Sequence, residues 1–270
     1  MKAKITATAK YLPKKTLTNL DLEKMVDTSD EWILSRTGIE KRHLVSDGEA
    51  TSDMCKEVAL ELLKKSNKNP EEIDLILVAT STPDVPVVST AALVQDKIGA
   101  KNAWGYDIVA ACTGFVYALE TGAKLVESGK YKNVIVIGAD TMSSIIDYTD
   151  RNTCVIFGDG GGGVLLEPSD NDCGVLDSIL LADGSGHKYL TVPAGGSLRP
   201  ATKETIDKKM HYVYQDGRAV FKFAVKNMAD VSREILDKNN IEGKDIKLFI
   251  PHQANKRIID AAAKRCGLTE

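Results

Sequence analysis

Asp107-Ile108-Val109-Ala110-Ala111-Cys112-Thr113-Gly114-Phe115-Val116-Tyr117-Ala118-Leu119 is the stretch on which the reading of the fold turns. It opens as an apolar run and changes at Cys112 to helical spacing. That change predicts a strand over 107–110, then a helix from Cys112 to about Ser128, closed by Gly129. Another apolar run, 134–137, predicts the next strand. Strand, helix, strand in this order implies a parallel sheet covered on both faces. The cysteine falls at the start of the helix, where unpaired N–H groups and the positive end of the dipole favour thiolate over thiol. A nucleophile fits that place. So does a small buried core residue.

Upstream, Met54, Val58 and Leu62 follow helical spacing, Asn69-Pro70 breaks the chain, and 73–79 reads as a buried strand. The same order returns downstream. Phe221, Val225, Met228 and Ile235 mark a helix, Asn239-Asn240 a break, and 246–250 a strand. Asp74 and Asp245, which lead into the two strands, stand 171 positions apart, an interval suited to a duplicated α/β half. Cys112 carried forward by that interval falls at position 283, outside the 270 residues. The expectation is therefore a fragment of something longer, with an abbreviated second half as the alternative. Boundaries at 1–170 and 171–270 are expected. Residues 174–202, rich in Gly, Pro and Ser, form the excursion between the halves.

Composition narrows the function classes. With 270 residues the chain can bury a substantial core. Its 35 basic and 38 acidic residues are interspersed and leave a net charge of −3, which argues against a nucleic-acid partner. The first residues contain no apolar leader region and the longest apolar runs are too short to span a bilayer, so a soluble, cytosolic protein is expected. Five cysteines lack both C-x-x-C pairing and metal-ligand spacing, and reduced thiols are expected.

Cys55, Cys154, Cys173 and Cys266 have no strand-to-helix placement like that of Cys112, and His43, His187 and His211 carry no special signal. His252 follows the expected strand at the mouth of a sheet, where sites of open α/β folds gather, although a structural histidine fits there equally. Gly158-Asp159-Gly160-Gly161-Gly162-Gly163 contains G-x-G-x-x-G, but the apolar run after it reads as a strand. A dinucleotide site needs a helix there, so close backbone approach is the better explanation. His252-Gln253-Ala254-Asn255-Lys256-Arg257 opens a helix with basic residues against the dipole preference, as a solvated face or as a surface for an acidic partner.

Taken together, Ser29-Asp30-Glu31-Trp32-Ile33, Arg36-Thr37-Gly38-Ile39, the Cys112 stretch, Phe157-Gly158-Asp159-Gly160 and Pro251-His252-Gln253-Ala254-Asn255 resemble the β-ketoacyl-acyl-carrier-protein synthase III family. The resemblance runs the length of the chain. It implies a thiolase-like fold of two duplicated α/β halves in a layered αβαβα core, the second half truncated. It further implies a decarboxylative condensation of an acyl-CoA primer with malonyl-ACP, giving 3-oxoacyl-ACP, CoA and CO2, at the start of type II fatty acid synthesis.

Under that resemblance Cys112 carries the acyl group and His252 stabilises the developing enolate. Thr28, Trp32, Arg36, Arg151 and Asn255 would contact CoA, with adenine between Trp32 and Arg151. Val87 would stand at an acyl-pocket position often held by phenylalanine, which predicts a roomier pocket. Lys222, Lys256 and Arg257 would receive the acyl carrier protein. A homodimer, no metal or redox cofactor and no membrane association are implied. The family's catalytic asparagine and its oxyanion-hole glycines would fall beyond residue 270, which leaves the activity of these 270 residues open. Thiolase, hydroxymethylglutaryl-CoA synthase and chalcone synthase share fold and nucleophile, but the Trp32 and His252 motifs favour synthase III, and Cys266 is poorly placed as a second thiolase cysteine. A specialised polyketide condensing enzyme, or a noncatalytic binding subunit, remains as an alternative.

Overall fold

Leu75-Ile76-Leu77-Val78-Ala79 contains no polar side chain, and every one of its residues is buried, as expected of a strand covered on both faces. In the computed structural model, which describes residues 1–171 and 173–268, it is the fourth strand of a five-stranded sheet. The strands are β1 (Lys2–Tyr11), β2 (Leu75–Ala79), β3 (Trp104–Ile108), β4 (Val134–Thr141) and β5 (Asp159–Ser169), in spatial order β1-β5-β4-β2-β3. Strands β2, β3 and β4 are parallel, while β5 runs antiparallel to both β4 and β1. The sheet is thus mixed, which corrects the all-parallel expectation. Nothing in the local sequence of β1 or β5 encodes their direction.

Strand alternation divides the core. Ile76, Val78, Ile135 and Ile137 point to one face and pack with Val58, Ala59, Leu62 and Val94 from the helices Thr51–Ser66 and Thr90–Ile98. Leu75, Leu77, Val134 and Val136 point to the other and meet Ala118, Ala123 and Val126 of the helix Gly114–Glu127. That helix ends at Glu127 with Ser128 as its C-cap and Gly129 at φ +77°, and β3 ends two residues earlier than the apolar run suggests. Together these elements make one of two compact units, formed by residues 1–16, 43–144 and 158–180.

The other unit comprises residues 17–42, 145–157 and the chain from 181 onward. Its main helices are Asp30–Thr37, Gly217–Lys238 and Lys256–Arg265. The last begins four residues later than the sequence suggests, with Asn255 as its N-cap. The strand expected over 246–250 is not formed, and Leu248 and Ile250 are 73% and 77% exposed. The physical reason is pairing. In the first copy β2 is flanked by β3 and β4. Among the described residues no strand lies beside 246–250, so this segment has no ladder partner to hydrogen-bond with. Among the described residues no helix is long and apolar enough to cross a membrane.

Candidate active site

At the carboxyl end of the parallel strands Ala79 pairs with Ile108 on one side and Gly138 on the other, β4 runs on to Thr141, and Cys112 follows the end of β3. This is the crevice where open α/β sheets place their ligands. Between strand and helix the chain makes a tight turn. Ala111 has φ +46°, residues Ala111–Thr113 form a 3₁₀ turn, and the α-helix begins at Gly114. A left-handed alanine costs about 1–2 kcal/mol, strain of the kind found at functional turns.

Cys112 is solvent-accessible, yet its Sγ stands among enough protein atoms to lose hydration. That loss pushes the thiol up, the Asp140 carboxylate adds to the effect, and a backbone hydrogen bond opposes it. This corrects the expectation of a ready thiolate. Cys112 precedes the first helical residue by two, and a nearby carboxylate and desolvation outweigh the helix end.

Asp140, which the sequence reading passed over, accepts three hydrogen bonds on Oδ1: from Ser81 N at 2.7 Å, Thr82 Oγ1 at 3.0 Å and Thr80 Oγ1 at 3.1 Å. Thr82 Oγ1 in turn receives Thr141 N at 2.8 Å. Burial pushes Asp140 up while these bonds pull it down.

Val87 lies on the connection after Thr82, which is pinned on both sides. Ser52 N donates to Asp84 at 2.8 Å, and Thr90 N and Ala91 N donate to Asp107 at 2.6 and 2.8 Å. Val87 itself is fully exposed at φ +80°, an unusual state for a β-branched residue.

The glycine run is part of β5, as expected from the apolar residues after it. A Cβ at Gly163 would lie 2.8 Å from Val136 O and 2.9 Å from Val58 Cγ1. Asp159 accepts Val45 N and Ser143 N, both at 2.8 Å, and Ser143 Oγ at 2.6 Å, so it locks adjoining turns.

Most of the remaining residues singled out from the sequence belong to the second unit. Ser29 Oγ caps the helix Asp30–Thr37 by accepting Trp32 N at 3.1 Å, and Gly38 closes it at φ +77°. The Arg151 guanidinium lies 4.5 Å from the centroid of the Trp32 ring, and Arg36 lies 6.0 Å from it. The arginine and indole expected to sandwich a base are stacked on each other. A base between them needs about 7 Å, two van der Waals layers, so Arg151 has to swing outward to admit one. Beside this helix, Thr28 Oγ1 is buried and has no hydrogen-bond partner.

Asn255 joins Arg36 by donating Nδ2–H to its carbonyl at 2.9 Å, and its Oδ1 accepts Arg257 N at 2.9 Å. Lys222, Lys256 and Arg257 are exposed. Lys256 pairs with Asp260 at 2.9 Å, and Arg257 lies over the Phe221 ring at 5.1 Å. His252 is on an irregular, exposed segment rather than at the end of a buried strand, which corrects its expected setting. Loss of hydration still pushes its imidazole below the usual histidine range. The other histidines are local. His43 donates to Pro13 O at 2.6 Å, His187 bonds Gly184 O at 3.1 Å, and the His211 ring packs on Tyr212. Cys55, Cys154 and Cys266 are buried, and Cys173 is exposed.

Residues 106–184 match the family model described as 3-oxoacyl-[acyl-carrier-protein (ACP)] synthase III, and residues 236–270 match that of its C-terminal part. A β-ketoacyl-[acyl-carrier-protein] synthase III of Chlorobium chlorochromatii (strain CaD3) is 60% identical over 271 residues, covering 99% of this chain and 82% of that protein. The crystal structure of 3-oxoacyl-[acyl-carrier-protein] synthase III from Aquifex aeolicus VF5 superposes with a TM-score of 0.89 at 43% identity, covering 99% of this chain and 82% of that one. The priming β-ketosynthase of the R1128 polyketide biosynthetic pathway gives a TM-score of 0.91 at 32% identity, over 99% and 79% of the respective chains.

Proposed function

The chain belongs to the 3-oxoacyl-[acyl-carrier-protein] synthase III family, and on that premise we propose that it condenses an acyl-CoA primer with malonyl-ACP in the cytoplasm, starting fatty acid synthesis. The observation that carries the reading is the placement of Cys112: an accessible thiol, on a strained turn, at the carboxyl end of a parallel strand and the start of a helix.

The reaction divides into two halves. Cys112 Sγ attacks the thioester carbonyl of acyl-CoA, its proton leaves, the thioester C–S bond breaks, and CoA departs as a thiol. Malonyl-ACP then loses CO2. The electron pair of the broken C–C bond becomes an enolate, whose carbon attacks the acyl group on Cys112. The new C–C bond forms, the Cys112 thioester breaks, and 3-oxoacyl-ACP leaves. A rest state biased toward the thiol suits a nucleophile that sheds its proton only when substrate is seated.

His252 is assigned to the enolate. An imidazole held below its usual range is neutral at pH 7 and can donate an N–H hydrogen bond to the developing oxyanion. Thr28, Trp32, Arg36, Arg151 and Asn255 are assigned to CoA, and the unsatisfied Thr28 hydroxyl supports a polar ligand at that place. Lys222, Lys256 and Arg257 are assigned to the acidic carrier protein. The division at residue 170 separates the half that carries Cys112 from the half that carries His252. Strand β3, at the sheet edge with Trp104 exposed on it and Val109 exposed just after it, supports a homodimer.

Mass spectrometry after incubation with acetyl-CoA and longer acyl-CoAs, then with malonyl-ACP, tests each half. An acyl adduct on Cys112 that is discharged as 3-oxoacyl-ACP is the expected result. No adduct on Cys112 with any acyl-CoA would overturn the reading.

A further inference from the structure

Arg42 is 3% exposed, and among the described residues no carboxylate pairs with it. A buried guanidinium without an ion-pair partner is costly, so its hydrogen bonds need an explanation. They run in two directions. Nε donates to Val155 O at 3.1 Å, and Nη2 donates to the same carbonyl. Val155 is the residue that ends the short helix Arg151–Cys154. On the other side Nη1 donates to Asn19 Oδ1. Asn19, itself 1% exposed, passes the contact on. Its Nδ2 donates to Asp30 Oδ1 and to Ile39 O, both at 2.8 Å.

Asp30 is the first residue of the helix that carries Trp32, and Ile39 follows the Gly38 that ends it. Arg42 is thus tied at one edge to the segment that presents Arg151, and through a single amide to both ends of the helix that presents Trp32. The two side chains it links are those stacked 4.5 Å apart. The rigid, planar fork of arginine can grip one carbonyl twice while reaching the amide opposite, which the single ammonium of lysine cannot do. Asp30 supplies the negative charge at the far end of the relay, so the ion pair is completed through Asn19.

We propose that Arg42 is a positioning residue that fixes the spacing of Trp32 and Arg151 through Val155 O and the Asn19–Asp30 relay, and so sets how tightly the pair closes on the adenine ring of CoA. The proposal rests on the assignment of Trp32 and Arg151 to CoA.

The test measures CoA affinity by titration against the emission of Trp32, in a Trp104→Phe background that leaves Trp32 as the remaining tryptophan. Arg42→Lys and, separately, Asn19→Ala are compared with Trp32→Ala and Arg151→Ala, the last two followed by calorimetry. Far-UV circular dichroism establishes that each variant is folded. The expected result is a Kd for CoA raised about tenfold in Arg42→Lys and in Asn19→Ala, the loss of one charge-assisted hydrogen bond, together with altered Trp32 emission before CoA is added. Acylation of Cys112 by saturating acyl-CoA is expected to be unchanged. Weakened binding in Trp32→Ala and Arg151→Ala, with parental affinity and emission in the folded Arg42 and Asn19 variants, would overturn the role of Arg42 and leave the CoA assignment standing. Parental affinity in all four would overturn both.

Discussion

A Cβ on Gly114 would stand 3.1 Å from the Cβ of Ala79, so the turn that carries Cys112 is seated directly on the carboxyl end of β2. The next residue of that strand end, Thr80, is bound by Asp140. Asp140 is therefore both a brace under the nucleophile and a negative charge near it. Asp140→Asn keeps an acceptor oxygen for the three donors and removes the charge. Since the carboxylate disfavours the thiolate, its removal shifts the pH midpoint of Cys112 alkylation by iodoacetamide downward. An unchanged midpoint would mean that desolvation alone sets the thiol.

Val87 spends conformational energy at φ +80° on a position where its side chain touches solvent. Val87→Gly relieves the left-handed strain and is expected to raise stability by up to about 1 kcal/mol, read from the urea midpoint. If Val87 stands at the acyl pocket as proposed, Val87→Phe is expected to restrict primers to the smallest acyl groups and the parent to accept groups beyond acetyl. A panel of acyl-CoAs on the parent that shows strict acetyl preference sinks the roomier pocket.

Charge reversal separates the two substrates. Lys222→Glu and Arg257→Glu are expected to raise the KM for malonyl-ACP severalfold and to flatten its salt dependence. Acylation of Cys112 by acyl-CoA alone is expected to stay within about twofold for Lys222→Glu, whose exposed side chain is none of the residues assigned to CoA. Equal losses in both half-reactions would place these residues elsewhere in the mechanism.

The glycine run gives a prediction about stability alone. Gly163→Ala drives a methyl against Val136 O and Val58, on a strand paired on both edges. Overpacking of this kind costs about 1–3 kcal/mol, and thermal unfolding of the variant should show a lower Tm with Asp159 and its partners intact. A variant with parental Tm would mean that β5 can move to make room.

Much of the first unit was legible because burial writes a periodic signature. The 3.6 spacing of Met54, Val58 and Leu62 and the unbroken apolar run of β2 identify their elements without help from the rest of the chain. Strand direction was not legible, since β1 and β5 acquire theirs from distant partners. At the site, Cys112 announced itself by sitting where one periodicity gives way to another. Asp140 and Arg42 did not, because their significance lies in hydrogen bonds to residues 60 and 113 positions away. The charge state of Cys112 was misread for the same reason: the helix start is visible in sequence, whereas the carboxylate beside the thiol is visible only in space.

The exposed segment around Leu248 and Ile250 has a practical consequence. An exposed apolar, strand-prone run outside any sheet is a template for pairing between molecules, so at high concentration the protein is expected to drift toward β-rich aggregates. The same kind of apolar run is inert as β2, hidden between two neighbours, and adhesive at 246–250 without them. Charged substitutions at Leu248 and Ile250 are then expected to improve handling without touching Cys112.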